Sequence, residues 1–154
     1  MESVGFDFYQ FGEFLFKMVF AYLLALPMAM EHKHIHTTPG PGLRTFPLVA
    51  VGACAFMLIG LEVLHNEEAR ARIAYGIITG IGFIGGGAIL KNEETVRGTA
   101  SAASIWNTGA IGIAIAWQCY EIAVILSLIN YITFVFFSPG RKRKKIDDKR
   151  DEIL

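Results

Sequence analysis

The stretch Ile73-Ala-Tyr-Gly-Ile-Ile-Thr-Gly-Ile-Gly-Phe-Ile-Gly-Gly-Gly-Ala-Ile-Leu90 runs for eighteen residues without a charged side chain. It is as long as a helix needs to be to cross a hydrocarbon core of about 30 Å, for which roughly 17–25 residues suffice. Four more stretches are apolar with at most one charged residue each: Phe14–Met30, Phe46–Leu64, Thr99–Ala116 and Tyr120–Phe137. Hydrophobic residues make up 53% of the 154-residue chain. A chain this short cannot cover five all-round apolar helices with protein, so lipid is the expected solvent for most of these side chains. The expected fold class is therefore all-α, a polytopic membrane helix bundle of about five transmembrane helices. Residues 1–140 form that bundle and residues 141–154 a charged cytoplasmic tail. All five stretches lie near the lower length limit, so they should cross with little tilt.

Charge placement sets the expected orientation. Net charge is zero, but the basic residues are not spread evenly. Lys33 and Arg44 fall in the first loop, Lys91 and Arg97 in the third, and Arg141, Lys142, Arg143, Lys144, Lys145, Lys149 and Arg150 in the tail. Five spans put these three segments on one side, where they hold 11 of the 14 Lys and Arg residues. By the positive-inside rule that side is cytoplasmic, with the N-terminus outside. Lys17 lies inside the first span, where it should snorkel outward and pair with Glu13 one turn away. Pro27 should kink or end the first helix, and Trp117-Gln118-Cys119 must form a tight hairpin between the last two spans. The N-terminal ten residues carry Glu2 and Asp7 and no Lys or Arg, unlike a secretory signal. The basic run after Pro139 reads as a stop-transfer signal, with attraction to anionic headgroups as its other use.

Gly80, Gly82 and Gly85 match G-x-G-x-x-G, but the dinucleotide fingerprint needs a preceding strand and an acidic residue about 20 positions on, within a βαβ unit. Neither fits here. Gly76–Gly80 and Gly82–Gly86 read instead as G-x-x-x-G pairs for close helix packing in lipid. Ala100, Ser104, Thr108, Gly112 and Ala116 recur every four residues along the fourth span, a small-residue stripe with two hydroxyls available for bonds between helices. Helices three and four should therefore pack tightly on each other or on a neighbouring subunit.

Polar groups within the spans are few. Asn107 and Asn130 could line a small cavity or bond helix four to helix five. Arg97, at the mouth of the fourth helix, has Glu31, Glu93 and Glu94 as possible partners, and boundary ionisable groups are functional candidates. His32, His34 and His36 alternate. A strand would put all three on one face and a helix only His32 and His36; either arrangement could bind a metal or sense pH, and a solvated interface is the bland alternative. Cys54 and Cys119 should lie at different depths, so no disulfide is expected, and no Cys/His spacing resembles a zinc site.

Several of these segments together resemble the MgtC/SapB family. Gly42-Leu-Arg-Thr45 is similar to its G-L-R-T element, and Gly80-Ile-Gly-Phe-Ile-Gly-Gly-Gly87-Ala-Ile-Leu90 to its G-I-G-F-L-G-A-G-x-I-L stretch. Val96-Arg-Gly98, Ala102-Ala-Ser104 and Trp106 resemble V-R-G-L-T-T-A-A-S-L-W, and Glu31 matches the Glu of a G-x-E-R element. The likeness covers roughly residues 15 to 137. It departs from the pattern around Glu31, where Ala29-Met-Glu-His lacks the usual Gly and Arg. The tail is too short for the ACT-like domain that longer members carry, so this chain resembles the short form.

The resemblance implies a bacterial inner-membrane protein associated with low-magnesium or acid stress and with virulence. It implies contacts with other membrane proteins, among them the proton-translocating ATP synthase. Carried over by position, Glu31, Arg44, Gly80, Gly82, Gly85, Arg97, Gly98 and Ser104, with Asn107 added from the residue reading, are the functional candidates. A regulator that docks onto membrane proteins is the first expectation; a magnesium or other ion transporter or channel is the alternative, although a hard cation wants several oxygen ligands. No acid–base or nucleophilic spacing suggests an enzyme. The expected partners are the lipid bilayer, other membrane proteins and a possible homo-oligomer, with no nucleic acid and no cofactor.

Overall fold

The computed structural model describes residues 7–35, with backbone only from 31 to 35, and residues 43–91 and 96–136. The tail from 141 to 154 and His36 lie outside the described residues. Among the described residues five helices follow one another: α1 Phe8–Ile35, α2 Thr45–Val63, α3 Glu67–Gly87, α4 Thr99–Ala116 and α5 Tyr120–Phe136. A two-stranded antiparallel ribbon, β1 Leu90–Lys91 and β2 Val96–Arg97, joins α3 to α4. The fold is an all-α bundle, as the apolar stretches require.

α4 is the axis of the bundle and touches each of the other four helices. Every residue from Ile111 to Ala116 is buried, as expected of a helix that is small or apolar all round. Of the expected stripe, Ser104, Thr108, Gly112 and Ala116 are buried, and Ala100 at the helix entrance is exposed. The small residues let α2 approach closely. A Cβ built at Gly112 would collide with the Ala50 carbonyl and come within 2.9 Å of both Ala53 Cβ and Cys54 N. One turn away, a Cβ at Gly109 would meet the end of the Ile81 side chain from α3.

Two spans differ in extent from the sequence expectation. α1 starts six residues before Phe14 and continues through Pro27 to Ile35. Pro27 therefore does not end it, because packing against α2 and α5 carries the helix past the residue. Proline leaves the carbonyl of residue 23 without its usual donor, and one residue on, the Leu24 carbonyl accepts a bond from Ser127 Oγ of α5 at 2.6 Å. α3 starts at Glu67 rather than Ile73 because Asn66 caps it: its side chain accepts from the Glu68 N–H at 2.8 Å, and two glutamates sit at the positive end of the helix dipole.

The connections are specific. Arg70 ties α3 to the end of α2, donating from Nε to the Leu64 carbonyl and from a terminal nitrogen to that of Leu61. It also pairs with Glu67, and Arg72 pairs with Glu68. The expected α4–α5 hairpin is present. Gln118 has φ of 62°, while Gln118 N bonds to the Ile115 carbonyl and Cys119 N to that of Ala114. These are the two bonds of a Schellman turn, with glutamine where glycine is usual.

Two helices, Phe8–Met30 and Thr45–Val63, are long and apolar enough by composition to cross a membrane, and Tyr120–Phe136 is a shorter apolar helix. α3 misses that mark through the four charges in its first two turns, and α4 is diluted by Ser, Thr and Asn. Much of the bundle's outer surface is apolar, including Phe8, Leu15, Phe56, Phe83 and Phe136, each at least half exposed. Such a surface marks a membrane or a large interface.

Candidate functional site

The glycines of α3 divide among three faces, one of which turns inward. Gly85 packs on α4, where a Cβ would stand 3.1 Å from the Ala102 carbonyl oxygen. Ala74 and Ile81 share that inward face. Gly76 and Gly80 point instead into a crevice between α2 and α3, and Gly82 and Gly86 lie with Tyr75 and Thr79 on the outermost face. A Cβ at Gly76, Gly80, Gly82 or Gly86 would meet nothing within 4 Å. α3 and α4 do pack on each other, one of the two arrangements expected for them, but the G-x-x-x-G pairs do not make that contact. Contact with α4 runs through Gly85 and Gly109, and both pairs are left open.

The hydroxyls of α4 also behave differently from expectation. Thr108 Oγ1 donates back to the Ser104 carbonyl at 2.7 Å, as threonine inside a helix often does. The Ser127 hydroxyl of α5 does bond between helices, to the Leu24 carbonyl of α1. Ser104 is buried in the bundle, so it supports the fold and belongs to no exposed contact face.

Asn107 and Asn130 meet: Asn107 Nδ2 donates to Asn130 Oδ1 at 3.1 Å, linking α4 to α5. Asn130 is 4% exposed, and its own Nδ2 has no hydrogen-bond partner. An Asn buried in apolar surroundings with half its amide unpaired is a costly arrangement.

Lys17 pairs with Glu13 as expected, and its side chain is buried in the bundle. Its Nζ lies 2.6 Å from Glu13 Oε1, and its side chain is 5% exposed against 43% for Glu13. The carboxylate, not the ammonium, reaches the surface. Near the same end, Gln10 Nε2 donates to Glu62 Oε2 at 2.7 Å and joins α1 to α2.

Gly98, the cap of α4, has φ of 87°. A Cβ there would collide with the Ala88 carbonyl, so the turn from β2 into α4 requires glycine on both counts. Arg97, beside it on β2, is exposed. Arg44 caps α2 without a side-chain hydrogen bond and is exposed at one end of the α2–α3 crevice. The side chains of Glu31, Glu93, Glu94, His32, His34 and His36 lie outside the described residues. The backbone at 32–35 is helical, which rules out a strand through His32 and His34. The candidates thus form no single cluster: Gly82 faces outward, Gly80 and Arg44 line the crevice, Gly85 and Ser104 lie in the bundle, and Arg97 and Gly98 form the ribbon and its exit. Sequence reading missed Arg70 and Ser127, whose roles depend on carbonyls brought to them from other helices.

The sequence model of the MgtC family matches residues 18–143. The chain belongs to the MgtC family. It is 32% identical over 133 residues to "Putative magnesium transporter YhiD" of Escherichia coli (strain K12), an alignment covering 82% of this chain and 61% of that protein. It is 38% identical over 93 residues to "Protein MgtC" of Brucella abortus (strain 2308), covering 60% and 38% respectively. With "Protein MgtC" of Salmonella typhimurium (strain 14028s / SGSC 2262) it is 36% identical over 102 residues, covering 66% and 43%. The chain therefore spans less than two thirds of the length of these relatives. No solved structure matches. Family and apolar helices together make it a membrane protein.

Proposed function

We propose that this MgtC-family chain is a multi-pass protein of the bacterial cytoplasmic membrane that regulates membrane physiology by docking onto other membrane proteins. The observation that carries the reading is the outer face of α3. Tyr75, Thr79, Gly82 and Gly86 fall on one side of the helix, exposed and free of packing inside the chain. Glycine in a helix interior costs stability relative to alanine, and in lipid it is repaid when another backbone comes close. The N-terminus is placed outside and the C-terminus in the cytoplasm. In support, the two arginines opposed to that sidedness, Arg70 and Arg72, are each paired with a glutamate, whereas Arg44 and Arg97 have no salt bridge among the described residues.

Site-specific photo-crosslinking in native membranes tests it. A photoreactive residue at Thr79 should give adducts with one or a few membrane proteins, and Gly82→Leu should abolish them without loss of insertion. Adducts with lipid only, or adducts indifferent to Gly82→Leu, would refute docking through this face.

The Asn107–Asn130 pair and the name of the E. coli relative favour a second reading, ion transport. Magnesium or proton flux in proteoliposomes that vanishes in Asn107→Leu would establish it in place of docking.

A further inference from the structure

We infer that the crevice between α2 and α3 holds one anionic phospholipid, with its acyl chains on the glycine floor and its phosphate at Arg44. The crevice is open along one side, has a volume of about 1020 Å³ and is apolar along its length, walled by residues such as Leu48, Phe56, Ile73 and Ile84. Its polar side chains, Arg44 and Thr45, stand together at one end. A cavity with a cationic mouth and a hydrocarbon body complements a molecule with an anionic head and a hydrocarbon tail. The length also fits. From Arg44 to Ile59 the wall runs along α2 for about 22 Å at a rise of 1.5 Å per residue, more than the roughly 15 Å of one leaflet's hydrocarbon.

Two independent features point to an occupant. The floor is made by Gly52, Gly76 and Gly80, each with no atom beyond its own stretch of helix backbone within 4 Å of the place a Cβ would take. The chain keeps this volume clear at three helical positions where alanine would be the better helix former. At the mouth, Arg44 is exposed and has no ion pair among the described residues. It sits at the start of α2, which has no side-chain cap, so the positive end of the helix dipole and a guanidinium suited to bidentate phosphate bonding coincide there. The inference rests on the membrane setting but not on docking, which uses the Tyr75–Gly86 face on another side of α3.

The test uses the full chain in nanodiscs of equal phosphatidylglycerol and phosphatidylcholine, released for native mass spectrometry. One retained phospholipid per chain is expected, enriched in phosphatidylglycerol. Arg44→Gln should cut that headgroup preference about fivefold, the contribution of one basic residue at an anionic surface. Gly80→Leu, which fills the floor, should lose both lipids, and Arg72→Gln, paired with Glu68, should change nothing. A headgroup preference unchanged in Arg44→Gln, or normal retention in Gly80→Leu, would overturn the inference. So would a dimer of the chain that Gly80→Leu dissociates, since a second copy would then fill the crevice. If Gly80→Leu fails to insert, Phe83→Trp at the crevice edge gives a second reading. Its fluorescence should be quenched more by bromine-labelled phosphatidylglycerol than by the labelled phosphatidylcholine, and equal quenching would count against the site.

Discussion

Glycine-to-alanine changes at Gly112 and Gly82 are the same chemical change, yet the structure predicts opposite signs. Helix propensity favours alanine by about 1 kcal/mol at either position. At Gly112 the new methyl meets the Ala50 carbonyl, with Ala53 Cβ and Cys54 N both at 2.9 Å. Two of these three are backbone atoms and cannot rotate away. Restoring a carbon–carbon spacing of about 3.5–4.0 Å to Ala53 requires α2 to back off by roughly 0.6–1.1 Å, and a gap of that size forfeits a quarter to a half of each facing contact. Overpacking of this kind costs about 1–3 kcal/mol. Because the obstruction is backbone, the upper end applies, leaving Gly112→Ala less stable by about 2 kcal/mol after the propensity gain. At Gly82 no atom beyond its own stretch of helix backbone lies within 4 Å of the new methyl, so only the gain acts, and Gly82→Ala should be more stable by up to about 1 kcal/mol. Reversible unfolding of the monomer in mixed micelles, followed by far-ultraviolet circular dichroism, measures both. Shifts in the same direction, or a Gly112→Ala protein as stable as its parent, would refute the packing argument.

Four further outcomes follow from other contacts. Gln118→Gly should stabilise by about 1 kcal/mol, since the left-handed conformation at φ 62° penalises a side chain by about that much; an unchanged thermal midpoint would contradict it. Gly98→Ala should destabilise by about 2 kcal/mol or more in the same unfolding assay, because it combines left-handed strain with a collision at the Ala88 carbonyl. Removing the two members of the Lys17–Glu13 pair should have unequal effects. Glu13→Gln strands a buried ammonium and should cost about 3 kcal/mol, while Lys17→Met leaves a carboxylate that is 43% exposed and should cost less than about 1 kcal/mol. A double-mutant cycle on Asn107 and Asn130 should return a coupling near 0.6 kcal/mol, the usual size for hydrogen bonds between membrane helices; zero coupling would mean that the 3.1 Å contact is not formed.

What could be read from the sequence followed its periodicities. The four-residue repeat from Ala100 to Ala116 marked a tightly packing helix, though not its central place, and α4 begins and ends where the apolar stretch does. The hairpin at Trp117–Cys119 was forced by having only three residues between two spans. What escaped were effects carried by distant chain. A G-x-x-x-G pair announces that something comes close but not what, and the open faces of Gly76, Gly80, Gly82 and Gly86 appear only once α2 and α4 are in place. Pro27 signalled a break that tertiary packing overrode. The start of α3 was missed because charged residues were read as loop, whereas Asn66 and Arg70 build those charges into the helix. The two-residue pairing of Leu90 with Arg97 and Lys91 with Val96 carried no usable pattern at so short a length.

The central position of α4 has a consequence for genetics. A random screen for inactive alleles will return its densest harvest from the buried positions of Ser101 to Ala116, because a bulky change there presses on helices packed around α4. Such a map would mark the axle of the assembly, not the surface that meets a partner. If docking runs through α3 as proposed, alleles that leave the protein abundant in the membrane yet inactive should instead gather there, and that smaller class would carry the functional information.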